Sequence, residues 1–92
     1  MLKNTYLLMT TNMMLLIKWE DDIGKNVHNC KDIFNKLSKI KGYKKAQYTE
    51  DSDISDIIAY YDWIETEISS RLDEIYKIPN VDVVDPRIIL PA

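Results

Sequence analysis

His28 and Cys30 are the one imidazole and the one thiol of the chain, the side chains best suited to metal binding or nucleophilic catalysis. They stand two positions apart. On a helix, positions i and i+2 diverge, so the pair cannot share a metal or act as base and nucleophile. Cys30 falls on an apolar stripe and reads as a buried structural thiol, and His28 reads as a surface residue near a helix start. Among the many carboxylates only Glu65 stands out. It falls inside an apolar helical face, between Ile58, Tyr61 and Leu72, where an unpaired charge costs on the order of several kcal/mol. A lysine of the preceding helix or Arg71 of a neighbouring copy would be its partner; at the edge of the stripe it would reach water instead. Gly24 and Gly42 alone cannot build a glycine-rich phosphate loop. No catalytic, cofactor-binding or metal-ligating residues are expected, and an enzyme is the weakest reading.

The cations are more suggestive. Lys31, Lys36, Lys39, Lys41, Lys44 and Lys45 form a basic stretch with Tyr43 and Tyr48 among them, an electrostatic footprint compatible with nucleic acid but unspecific. The net charge of −3 hides a split: residues 1–48 hold nine Lys against four acids, and residues 49–92 hold three cations against eleven acids. The acidic half opposes duplex binding. A chain divided in this way can stack with copies of itself, plus against minus, or meet two different partners.

Ninety-two residues make one small domain, and 46% hydrophobic content with two Trp and six Tyr is a folding composition. A single cysteine excludes an internal disulfide and fits a reduced, cytoplasmic setting. The apolar run Tyr6–Trp19 is broken by Thr10, Thr11, Asn12 and Lys18 and is too short to span a bilayer. No small-residue cleavage site follows it, so neither a signal peptide nor a membrane partner is expected.

These residues need elements to position them, and the pattern predicts an all-α fold: a small helical bundle with one long amphipathic helix and an extended C-terminal arm. The long helix runs over about 52–77. Ile54, Ile57, Ile58, Tyr61, Ile64, Ile68, Leu72, Ile75 and Tyr76 recur at steps of three and four, Ser52 or Asp53 caps its start, and Pro79 stops it. A first helix at about 5–18 carries Tyr6, Leu7, Met9, Met13, Leu16 and Ile17, with a strand over Met13–Trp19 as the competing reading, because short apolar runs fit both periods. A second, at about 26–41, carries Val27, Cys30, Ile33, Phe34, Leu37 and Ile40, with Gly42 where a left-handed cap belongs. Tyr43–Thr49 reads as a linking loop. The helical domain is thus 1–78 and the arm 79–92.

Two features exceed what one core needs. Trp63 lies behind the long helix's core stripe, framed by Ala59, Thr66 and Ser70, as a second helix-packing face would be. The arm ends in Ile88, Ile89 and Leu90, a sticky run suited to clasp an adjacent subunit. These seven residues are the expected interface.

The run from Ile54 to Pro79 resembles the signature helix of small phage head–tail connector (head-completion or adaptor) proteins. The matching positions are Ile54, Ile58, Glu67, Ile68, Leu72, Tyr76 and Pro79, in an acidic start, a long helix and a Tyr/Pro exit. The match covers about a third of the chain. Family members commonly continue into another helix after the proline, whereas this chain ends in Val81–Ala92, and its first half has no clear correspondence. The resemblance implies a non-catalytic structural subunit of the virion, assembled in host cytoplasm. It would form a homo-oligomeric ring between portal and tail components, with DNA at most passing through without specific contact. The alternative is a small intracellular regulatory protein that binds a protein partner, or nucleic acid through its basic stretch.

Overall fold

A computed structural model of the chain describes residues 9–19, 27–49 and 56–89, with the backbone alone for 27–30. Its elements are β1 (Thr10–Trp19), α1 (Val27–Ser38), β2 (Tyr43–Tyr48), β3 (Ile57–Ile64), a 3-10 turn at Glu65–Glu67 running into α2 (Ile68–Tyr76), and β4 (Val81–Ile88). The four strands form one sheet in the order β2-β3-β1-β4. Every neighbouring pair is antiparallel. Strands β1 and β2 therefore run the same way with β3 between them, the split βαβ arrangement of ferredoxin-like α+β folds.

Alternation along the strands sends one set of side chains to the helix-covered face. On β1 these are Met13, Leu15, Ile17 and Trp19, on β3 they are Ile57, Ala59, Tyr61 and Trp63, and all are buried. Ile33, Leu37 and Ile40 of α1 and its exit, and Ile75 and Ile78 of α2 and its exit, close the core from the other side. Among the described residues every fully buried large side chain belongs to this layer, so the fold's stability resides between helices and sheet.

The all-α expectation is overturned, and the long helix is where it fails. In the described part of the helix expected over 52–77 the chain divides into β3, the 3-10 turn and α2. Residues 52–55, with the expected cap at Ser52 or Asp53, lie outside the described residues. The segment 57–64, IIAYYDWI, is apolar on both sides because β3 is central: one face meets the helices and the other lies half-buried between β1 and β2. A strand apolar on both faces shows no clean alternation, and its Ile spacing then passes for the helical period. Its β-branched and aromatic content is what a strand prefers. The helix that does form is nine residues long.

The remaining elements differ in the same direction. The helix expected at 5–18 is strand β1 in its described part, so the competing strand reading holds there. Residues 43–49, expected as a loop, include β2. The arm 79–92 is not free, since Val81–Ile88 pairs with β1 from Trp19↔Val81 to Met13↔Ile88. Helix α1 lies inside the span 26–41 expected to be helical. Pro79 and Asn80 turn the chain from α2 into β4, with Asn80 at φ 73°, a left-handed conformation that Asn tolerates better than most residues.

Candidate interaction surface

The second face of the sheet is the part that the described elements leave over. Its side chains fall into rows read directly from the strand registers. One row runs Lys45, Tyr60, Met14, Arg87 and the next Gln47, Ile58, Leu16, Asp85. A further pair, Lys18 and Val83, follows on β1 and β4. The two central strands thus place Tyr60, Met14, Ile58 and Leu16 together as an apolar square, and the two edge strands surround it with polar residues. Leu16 is 8% exposed, walled in by these neighbours, while Val83 at the margin is 48% exposed. Met14, Ile58 and Tyr60 are half-buried. Both helices pack on the opposite face, and no described element lies across this one.

The rim is charged and locally balanced. The Lys45 ammonium sits over the Tyr60 ring, 5.0 Å from its centre, in a cation–π contact. Lys44 Nζ lies 3.7 Å from Asp62 Oδ1. Arg87 bonds Asp85 at 2.8 Å, and that carboxylate raises the guanidinium's pKa. An apolar centre with a polar rim is the anatomy of a protein–protein contact.

Other candidate residues go elsewhere. Trp63 and Ala59 are core residues, 2% and 0% exposed. Trp63 stacks on Tyr61 at 4.7 Å between ring centres and its indole N–H donates to the Lys41 carbonyl at 2.7 Å. Thr66 and Ser70 are exposed on the 3-10 turn and α2. Ala59 and Trp63 therefore share the buried face of β3, while Thr66 and Ser70 stand apart from them on later elements, because strand and helix rotate the chain differently. Ile88 and Ile89 are exposed at the end of β4, and Leu90 lies outside the described residues.

Glu65 opens the 3-10 turn as an exposed residue, so the reading in which it reaches water is the one the fold supports. Arg71 instead joins Glu67 of the 3-10 turn and Glu74 of α2, each at 2.6 Å. The side chains of His28 and Cys30 lie outside the described residues. Among the described residues no group of three or more His, Cys, Asp or Glu could hold a metal ion, and no helix is long and apolar enough to cross a membrane.

The basic stretch does not form one surface. Lys44 and Lys45 lie on the rim of the open sheet face. Lys36 and Lys39 line a groove between the exits of the two helices, where Lys77 joins them and Lys36 bonds Asp32 at 2.8 Å. Lysines at helix C-termini complement the helix dipoles, a sufficient structural reason for their position. Periodicity could not reveal the open face, because its residues are adjacent only through pairing between distant strands. A faint signal existed in the apolar residues at both parities of 13–17 and 57–61.

No family model matches the chain, and no curated protein matches it. Among solved structures, E. coli AsnC matches over 100% of this chain with a TM-score of 0.70 and 14% identity. The chain spans 58% of the length of that protein. This likeness shows the fold, an α+β sheet domain, and with it the phage connector resemblance is overturned, since the long helix that carried it does not exist. A virion subunit, a ring between portal and tail, and the viral assignment fall with that helix.

Proposed function

We propose that this chain is a regulatory protein's association domain, non-catalytic and cytoplasmic, whose partner is a second copy of itself. The observation that carries this reading is the apolar square of Met14, Leu16, Ile58 and Tyr60 on a sheet face that no described element covers. Two such faces packed together would bury the square and leave Lys45, Asp85 and Arg87 around it, the arrangement of a sheet-on-sheet contact. The fold shared with AsnC, a transcription regulator, supports a regulatory setting over a structural one. A nucleic-acid role has less support, because the lysines of 31–45 divide between the sheet rim and the helix exits.

The test is the mass of the chain in solution across concentration and salt. The wild type should self-associate, and the association should survive high salt, since burial of apolar surface drives it. Ile58→Asp should shift the chain to monomer while its circular dichroism keeps the α+β signature. A wild type that stays monomeric at every concentration, or an Ile58→Asp variant with unchanged mass, would reject the reading.

A further inference from the structure

Strand β4 is an edge of the sheet, and an edge strand exposes backbone groups that can pair with another chain. The ladder alternation shows which groups these are. Ile89 N–H donates to Asn12 O across the β1–β4 pair at 2.9 Å, so the residues that face β1 are Ile89, Arg87, Asp85 and Val83. Val84, Pro86 and Ile88 turn their backbone groups outward. Independent support comes from β1, where the Ile17 carbonyl opposite Val84 is turned toward β3 and accepts from Asp56 N–H at 2.8 Å.

The outward groups of Val84 are already engaged. The Tyr76 hydroxyl accepts from Val84 N–H at 3.1 Å and lies 3.3 Å from the Val84 carbonyl, to which it donates. One hydroxyl reaching over from the last residue of α2 thus satisfies both halves of one ladder position. The next outward position is Pro86, which has no N–H to offer. Neither of these two consecutive outward positions, in the middle of an eight-residue strand, offers a free N–H, and at Val84 the carbonyl is taken as well. Tyr76 itself is 48% exposed, so its ring adds little to the core and its hydroxyl does the work.

We propose that Tyr76 is a plug on the β4 edge, which keeps the β4 strand of a second copy from adding to the sheet there. Face-to-face association through Ile58 does not depend on it. Removing the hydroxyl frees the donor and acceptor of Val84, and the edge becomes a template for antiparallel pairing between copies.

The experiment uses the full chain carrying Tyr76→Phe, which keeps the ring. Amide hydrogen exchange at Val84 should be at least tenfold faster in the variant. A larger, concentration-dependent species should form, and it should persist when Ile58→Asp is added, which separates edge pairing from packing of the open faces. Tyr76→Leu, lacking ring and hydroxyl, is the second variant and should behave in the same way. Val84 exchange unchanged in both variants, or no new species from either, would overturn the proposal.

Discussion

The Asp56 carboxylate accepts a hydrogen bond from the Trp19 backbone N–H at 2.8 Å, a contact that joins the last residue of β1 to the residue just before β3. Asp56 is 6% exposed, the one buried charged residue among those described. Its own N–H donates to Ile17 O and its carbonyl accepts from Thr49 N–H. Around this one residue the ends of β1, β2 and β3 are tied together. The side chain stands in for a ladder partner that β3, starting at Ile57, does not supply, and β1 has its register irregularity at Lys18/Trp19 in the same place.

Replacing Asp56 by Ala should therefore cost about 1–3 kcal/mol, since it strands a buried N–H. Denaturant unfolding measures this, and faster amide exchange at Trp19 should accompany it. A loss near zero would mean that water or another group takes the carboxylate's place.

Gly42 should not tolerate a side chain. Its φ is +88°, and a Cβ there would overlap the Asp62 carbonyl oxygen and approach Trp63 Cδ1 to 2.8 Å. The close approach is needed because Asp62 N–H donates to Gly42 O at 2.9 Å. Gly42→Ala should destabilise by about 2 kcal/mol or more, from the left-handed backbone and the overlap together. An unchanged melting temperature would refute this.

Tyr61 predicts an alkaline limit. It is fully buried between Tyr43 and Trp63 and donates to the Leu37 carbonyl. Burial raises its pKa, with smaller contributions from Tyr43 and Glu74. A phenol whose folded pKa lies above its unfolded value, near 10, contributes stability that is fully present below that pH and is lost as pH climbs above it. Stability should fall beyond about pH 10, and Tyr61→Phe should weaken that dependence while costing about 1–2 kcal/mol at neutral pH for the lost hydrogen bond. Unfolding curves at pH 8 and above decide it.

Trp63→Ala separates core from interface. A Trp at 2% exposure, stacked on Tyr61, belongs to the core, so truncation should cost about 3–5 kcal/mol. If the variant were as stable as the wild type and merely lost self-association, Trp63 would be an interface residue after all.

How much of this was legible follows from how far apart the deciding residues stand. Helix α1 was legible: Ile33, Leu37 and Ile40 sit within one local period, and Gly42 marks a left-handed turn soon after its exit. Most core residues were legible as well, because Ile57, Tyr61 and Ile75 are apolar in any element that holds them. The charge split and the scarcity of catalytic residue types were readable by counting.

The tertiary structure alone decided what those residues become. Ile58 and Ile57 follow one another in sequence and belong to opposite faces, which only the pairing of β3 with β1 and β2 establishes. A helix draws its hydrogen bonds from four residues away and so announces itself locally. A strand draws them from partners such as Leu16 and Gln47, forty-two and eleven positions from Ile58, and no local window contains them. The open face, the plug at Val84 and the Asp56 tie all depend on such distant pairings, and they exist only once the sheet has closed.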